Sequence, residues 1–359
     1  MAILLFLAGL LFLIVGAEAL VRGASRLAAL FGISPLVIGL TVVAFGTSSP
    51  ELAVSIESAL SGQGSIAMGN VVGSNIFNVL FILGLSAMIV PLVASRQLVR
   101  LDVPLMIALS VVLLILSLDA SLSRADGLAL FTGLVLYTSF SIHRSRREAA
   151  GVKREYAREF GFEGEGWSRW IGNPLLILGG LALLLIGSNW LVDSAESLAR
   201  YLGVSELVIG LTIVAAGTSL PEVVTSIVAA IRGERDIAVG NVVGSNLFNI
   251  MGVLGVAATV SPTGIAVPAA ITRFDMPVMI AVAVACLPLF FTGGVISRKE
   301  GALLLGYYGA YTLYLVLAAS HHDALSEFGA VMLYFVVPLT VITIIVVAMR
   351  EVLAPDTDG

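Results

Sequence analysis

Charge is scarce in this chain: only 12% of its 359 residues are Asp, Glu, Lys or Arg, where a soluble domain carries about 25%. With 58% hydrophobic residues and a mean hydropathy of +1.04, it lacks the polar surface to stay in water. A soluble enzyme and a disordered chain are excluded. So is a nucleic-acid binder, because a net charge of -5 leaves no basic footprint. Cysteine is almost absent. Cys286 is alone, so no intrachain disulfide can form. Histidine occurs three times, at His143 near a helix end and at His321-His322 beside Asp323. A solvated loop is the default for so short a tract, with a metal site as its rarer alternative. Neither a Ser/Lys or Ser/His set nor a metal-ligating His set falls inside a hydrophobic run, which argues against an intramembrane enzyme.

Long hydrophobic runs are abundant. A spanning helix needs about 20 apolar residues, and such stretches fall at 2–22, 34–60, 66–92, 102–119, 124–143, 173–193, 205–231, 237–261, 275–293, 299–318 and 328–349. They are too long for barrel strands and do not alternate. The first stretch ends near Ala17-Glu18-Ala19, which mimics a signal-peptidase site, but it has no charged start and is expected to be a retained helix. Alternating the eleven stretches across the membrane puts 16 of the 19 basic residues on one side, with Arg124, Arg200 and Arg273 on the other. The positive-inside rule then places the N-terminus outside and the C-terminus in the cytoplasm.

Shifted by 171 positions, the chain matches itself. Gly39-Leu40-Thr41 falls on Gly210-Leu211-Thr212, and Gly46-Thr47-Ser48-Ser49-Pro50-Glu51 falls on Gly217-Thr218-Ser219-Leu220-Pro221-Glu222. Gly69–Asn75 (GNVVGSN) recurs unchanged as Gly240–Asn246, and Phe77-Asn78 as Phe248-Asn249. Each copy holds five helices, so the second starts on the opposite face. The expected fold is an all-α polytopic membrane protein of two inverted-topology five-helix repeats, ten core helices in all, plus one C-terminal helix. Residues 1–143 form the first repeat, 144–172 a cytoplasmic linker, 173–318 the second repeat, and 319–359 the extra helix and tail. Inverted repeats are the architecture of many secondary transporters, whose site lies near the midplane between the copies.

Glu51 and Glu222 sit deep in hydrophobic helices, where an ionisable residue marks a functional site by default. Pro50 and Pro221 lack an amide hydrogen, so they release the Gly46 and Gly217 carbonyls and bend their helices. A cation would satisfy such carbonyls. Ala44, Thr47 and Ser48 share the face of Glu51. Ala215, Thr218 and Ser219 share that of Glu222. Ser74 with Asn78, and Ser245 with Asn249, are spaced i, i+4 on one face of the following helix. The glycines around them read as close-packing positions. This donor set is all oxygen, which suits Ca²⁺ rather than zinc or copper. Two carboxylates balance one Ca²⁺ or two Na⁺, and the empty dianion should resist crossing. That is a physical basis for exchange.

These paired motifs resemble the alpha-repeats of the cation/calcium antiporter superfamily, most closely the prokaryotic sodium/calcium exchangers, over about residues 1–318. The resemblance implies ten core helices, an outside N-terminus and four adjoining cation positions. A central Ca²⁺ position would use Glu51, Glu222 and the carbonyls of Thr47 and Thr218. One flanking Na⁺ position would use Ala44, Thr47, Ser48, Glu51 and Ser74, and the other Ala215, Thr218, Ser219, Glu222 and Ser245. Asn78 and Asn249 would line the middle position. Potassium-dependent members carry an acid where this chain has Asn249, which points to potassium independence. The 144–172 insert is too short for a calcium-sensing domain.

The expected function is therefore electrogenic Ca²⁺/Na⁺ antiport by alternating access, with the first and sixth helices sliding on a fixed core, as the resemblance implies. Ca²⁺, Na⁺ and membrane lipid are the expected partners, with no cofactor, and a prokaryotic inner membrane is the expected location. Buried glutamates can also carry protons, so a Ca²⁺/H⁺ antiporter is the main alternative. A cation channel is the alternative from another class, distinguished by its lack of coupling.

Overall fold

In the computed structural model the described residues are 2–159, 168–203, 215–291, 294–320 and 324–332, with isolated positions 209, 322 and 341. Among them eight helices are long and apolar enough to cross a membrane, and a ninth span is a broken pair. In chain order the helices are α1 (Ala2–Phe31), α2 (Pro35–Thr47), α3 (Ser49–Leu60), α4 (Gly64–Ile89), α5 (Leu98–Leu116), α6 (Arg124–Glu159), α7 (Ser168–Tyr201), α8 (Ala215–Gly217), α9 (Leu220–Ile231), α10 (Arg235–Val260), α11 (Ile271–Phe290), α12 (Arg298–Ala319) and α13 (Ala324–Val331). With this hydropathy the protein is an integral membrane protein.

Helix ends depart from the hydropathy reading because charge ends an apolar run without ending a helix. The first helix continues through Arg22 and Arg26 to Phe31 and stops where Gly32 takes φ +63° ahead of Ser34-Pro35. The insert 144–172 is largely helical extension: α6 runs on to Glu159 and α7 begins at Ser168. Of the 328–349 stretch most lies outside the described residues, as do His321, Asp323 and the 210–212 part of the repeat. His322 accepts the Ala324 N–H at Nδ1 (3.1 Å), as a cap of α13. Cys286 is buried and unpaired.

Four two-residue strands report the symmetry. β1 (Leu92–Val93) pairs antiparallel with β4 (Val295–Ile296), and β2 (Ser121–Leu122) with β3 (Ile265–Ala266). β1 and β2 lie at opposite ends of α5, and β3 and β4 at opposite ends of α11. Each clasp therefore takes one strand from each repeat, and exchanging the repeats exchanges the clasps. That is the arrangement inverted copies require.

The outer pair, α1 and α7, is packed on glycine in the same two-fold manner. A methyl on Gly16 would lie 2.7 Å from the Gly180 carbonyl oxygen, and one on Gly180 would lie 2.7 Å from that of Gly16. Gly9 and Gly187 repeat the contact at 2.8 and 2.7 Å. With no hydrophobic driving force between helices in lipid, such close backbone approach is what holds them. In the centre, Gly240 and Gly244 of α10 admit α2: a methyl would come within 2.8 Å of the Leu36 oxygen or 2.6 Å of the Leu40 Cα. These are the packing glycines of the repeated motif. Gly69 and Gly73 show no such approach among the described residues, since the equivalent of α2 falls mostly outside them.

Gly16→Ala and Gly180→Ala are each expected to destabilise the protein by roughly 1–3 kcal/mol, the usual effect of overpacking. A thermal melt in detergent checks this. Gly172→Ala, inside α7 and with no atom within 4 Å of the added methyl among the described residues, should not lower the melt.

Candidate cation site

The second span of the first repeat is broken at Ser48, where α2 and α3 meet at 49°. Ser48 has φ −82° and ψ 13°, and its counterpart Ser219 has φ −92° and ψ 8°. Both lie near the bridge region rather than the helix minimum. Pro50 and Pro221 sit in the first turn of the helix that follows, where a proline is tolerated, so each break precedes its proline by two residues. Glu51 and Glu222 then fall in that same first turn. The positive end of a half-helix dipole favours a carboxylate there.

Both glutamates are buried, at 0% and 1% exposure. Ser219 Oγ donates to Glu51 Oε1 at 2.8 Å, and Ser48 Oγ donates to Glu222 Oε1 at 2.9 Å. Each serine thus serves the glutamate of the other repeat. Helical periodicity had grouped Ser48 with Glu51 and Ser219 with Glu222; the contacts run across the two-fold instead. The brace brings the two carboxylates to one place. It leaves Glu51 Oε2 and Glu222 Oε2 buried without a hydrogen-bond partner, together with Thr218 Oγ1, Ser245 Oγ, Asn78 Oδ1 and Asn249 Oδ1. Four of these atoms can only accept. A buried cluster of unpaired acceptors is costly unless something satisfies it, which makes this centre the candidate cation site.

The other sequence candidates take distinct places. Ser74 Oγ lies 3.4 Å from Ser219 Oγ, at the brace. The Thr47 hydroxyl lies 3.1 Å from both the Val43 carbonyl and Asn241 Oδ1; these acceptors engage its proton and leave its oxygen lone pairs free. Ala44 is buried and its carbonyl accepts the Ser48 N–H at 3.0 Å. Ala215 opens the short turn α8, and its side-chain surroundings lie outside the described features. The Gly217 carbonyl released by Pro221 accepts Ser188 Oγ of α7 at 2.8 Å, so a hydroxyl already occupies one of its two lone pairs.

Periodicity missed the asparagines that fasten the helices together. Asn70 Nδ2 donates to the Glu51 carbonyl (3.2 Å) and Ser55 Oγ (3.0 Å); Asn241 Nδ2 donates to the Glu222 carbonyl (3.4 Å) and Ser226 Oγ (3.0 Å). Both stand in the repeated GNVVGSN motif, which was the available signal. Asn75 and Asn246, from the same motif, cross between repeats: Asn78 Nδ2 donates to Asn246 Oδ1 (3.0 Å) and Asn249 Nδ2 to Asn75 Oδ1 (3.1 Å). Asn78 and Asn249 are each the first residue of a π-helical turn. Such turns frequently mark functional sites. Glu18, outside this centre, pairs with Arg22 and Arg232.

Inverted repeats, broken spans and a buried oxygen-lined centre define a secondary transporter, not an enzyme. The chain belongs to the sodium/calcium exchanger protein family, whose sequence profile matches residues 1–143 and 172–317. It is a cation/Ca²⁺ antiporter by family. The putative antiporter CaxA of Alkalimonas amylolytica is 39% identical over 85% of this chain and 95% of its own length. The inner membrane protein YrbG of Escherichia coli is 42% identical over 79% and 87%, and the sodium/calcium exchanger MaX1 of Methanosarcina acetivorans 32% identical over 87% and 97%. A solved structure of the sodium-calcium exchanger NCX_Mj, soaked with zero Na⁺ and Ca²⁺, superposes with a TM-score of 0.73 at 30% identity, covering 89% of this chain and 99% of that one.

Asn241→Ala is expected to cost roughly 1–2 kcal/mol more stability than Asn70→Ala. Asn241 is fully buried and also meets the Thr47 hydroxyl, whereas Asn70 is half-buried. Paired thermal melts of the two variants measure the difference.

Proposed function

We propose that the chain exchanges Ca²⁺ for Na⁺ by alternating access, with Glu51 and Glu222 as the shared centre for which the ions compete. The observation that carries this reading is the crossed serine brace, which converges two carboxylates and leaves one oxygen of each unpartnered. Either one Ca²⁺ or two Na⁺ neutralises the pair. Ser74, Ser245, Thr218, Ser48, Ser219 and the carbonyls of Thr47, Ala44 and Ala215 supply the surrounding oxygens. Asn78 and Asn249 present carbonyls to the middle position. The ions are substrates, not resident cofactors.

Sodium is favoured over the proton by the number of neutral oxygens around the carboxylates, since a proton needs only one of them. MaX1 and NCX_Mj are described as sodium/calcium exchangers, which supports the same choice. Asn249 is an amide that donates to Asn75, so the centre holds two carboxylates rather than three, and this supports potassium independence. If more positive charge moves with sodium than with calcium, each net charge is worth about 2.3 kcal/mol per 100 mV. The bias of basic residues supports an outside N-terminus and a cytoplasmic C-terminus. Kinship to YrbG, an inner membrane protein, supports a prokaryotic plasma membrane. The two repeats, 1–143 and 173–318, act as the two halves of the carrier, with 144–172 as their cytoplasmic link and 319–359 peripheral to it.

Proteoliposomes preloaded with Na⁺ are expected to take up Ca²⁺, while vesicles preloaded with K⁺ at matched pH do not, and added K⁺ leaves the rate unchanged. Uptake driven instead by a pH step and indifferent to Na⁺ would make the protein a Ca²⁺/H⁺ antiporter. Glu51→Gln and Glu222→Gln should each abolish exchange; retained Ca²⁺ flux in either variant sinks the site.

A further inference from the structure

A carbonyl and an amino group are the two ends of every asparagine amide, and nothing in the shape of the side chain decides which end faces an ion. In the central site that choice is made two residues away. Asn246 Nδ2 donates to Met106 Sδ at 3.3 Å, and Asn75 Nδ2 to Met279 Sδ at 3.7 Å. A thioether sulfur can accept but never donate. It therefore attracts the amino end of the asparagine and repels the oxygen end. With the amino end of Asn246 turned to Met106, its Oδ1 faces Asn78 and accepts from Asn78 Nδ2 at 3.0 Å. That fixes Asn78 in turn, with its Oδ1 buried and unpartnered. The mirror relay runs Met279, Asn75, Asn249, and ends on Asn249 Oδ1, also buried and unpartnered.

We propose that Met106 and Met279 are positioning residues for ion selectivity: their sulfurs set the polarity of two amide relays, so that Asn78 and Asn249 offer the ions oxygen and never N–H. The inference rests on the reading of the site given above. Both methionines are buried, at 1% and 3% exposure, on α5 and α11, outside the repeated motifs and at equivalent points of the two repeats. Each relay starts on one repeat and crosses to the other: Met106 and Asn78 belong to the first copy, Asn246 to the second. The two relays are not equally anchored, because Asn75 Nδ2 also donates to the Asn246 carbonyl at 3.4 Å.

The test uses Met→Leu variants, which conserve volume and remove the acceptor. Ca²⁺ transport by the full chain in proteoliposomes is measured against the concentration of each ion. Met106→Leu is expected to raise the half-saturating concentration of at least one transported ion roughly five- to tenfold, the effect of losing about one hydrogen-bond-sized contact, with the maximal rate held. Met279→Leu should show a smaller shift, since Asn75 keeps its second anchor. Asn246→Asp supplies the discriminating background, its own ion dependence being the baseline. An ionised carboxylate offers Asn78 only acceptors, so it holds the Asn78 amide in the same sense without Met106. Met106→Leu should then add no further shift in that background. An unchanged ion dependence in Met106→Leu, or the same shift with and without Asn246→Asp, overturns the proposal and makes the methionine a packing residue. Glu51→Gln run in parallel separates the two levels. If it transports like the parent, the site reading itself has failed and the relay falls with it; if it is inactive while Met106→Leu is unaltered, the relay alone has failed.

Discussion

Two carboxylates buried together in a membrane cannot both stay charged without compensation, and the architecture around them follows from that constraint. Desolvating an ion costs several kcal/mol even after relaxation, and like charges at short range add to it. The protein meets part of the demand with permanent features. Broken spans place Glu51 and Glu222 at half-helix N-termini, and a serine from each break donates to the glutamate of the other. It leaves the rest unmet, because Oε2 of each glutamate stays unpartnered. A fully satisfied pair would be a stable core element with no use for an ion. A pair with one satisfied and one open oxygen is held in place and still leaves an acceptor on each carboxylate for the proposed cation.

Close packing makes this geometry possible. Gly240 and Gly244 let α2 lie against α10, which carries Asn241 to the Thr47 hydroxyl beside the first break. Asn70 and Asn241 then tie α4 and α10 to the carbonyls of the glutamates themselves. The backbone groups loosened by the breaks and the prolines are answered by side chains, as at Gly217, where Ser188 donates. Irregular backbone at membrane depth is tolerated only on such terms. The same asparagines therefore serve the fold and frame the two buried glutamates.

How much of this could be read from residues alone depended on whether the partners lie on one helix. The repeat at offset 171 located both glutamates, the hydroxyls around them and the asparagines Asn78 and Asn249, because motif identity does not need a three-dimensional structure. Periodicity sees neighbours along one helix, so the crossed pairing of Ser48 with Glu222 and of Ser219 with Glu51 was invisible to it. The offset also drifts. β1 starts at Leu92 and β3 at Ile265, 173 positions apart by simple subtraction, so Met106 and Met279 do not align under the shift that aligns the motifs. The same drift hid a second symmetric feature, the bonds of Tyr137 to Asp102 and of Tyr311 to Asp275, both 2.9 Å, which tie α5 to α6 and α11 to α12. Helix ends were misjudged where charged residues stay helical beyond the apolar run, as in α1 and α6.

Symmetry in sequence is not matched by symmetry in packing, and the differences concentrate on α1 and α7. α1 lies along α9, where Glu18 pairs with Arg232 and Ser25 Oγ donates to Glu234 Oε1 at 2.7 Å. The equivalent approach of α7 to α3 would bring Asn189 and Glu196 to Ser61 and Gln63, and no bond joins those residues among the described contacts. Ser188 holds the Gly217 carbonyl, while the equivalent position facing Gly46 is Ala17, which has no hydroxyl to offer. The α1–α7 contact itself stays two-fold symmetric through Gly9, Gly16, Gly180 and Gly187. If the proposed alternating access holds, exchanging the repeats gives this symmetric pair a second seat on the symmetric core. Alternating access in inverted-repeat carriers is a rigid-body motion of this kind about a fixed site. The two seats would be unequal: one is held by an ion pair and two serine bonds, and the other would set Asn189 and Glu196 against Ser61 and Gln63, with Ala17 in the place of Ser188. Under the proposed exchange this asymmetry would favour one seat, and the free energy that moves the pair to the other would come from the difference between the loads proposed for the two carboxylates.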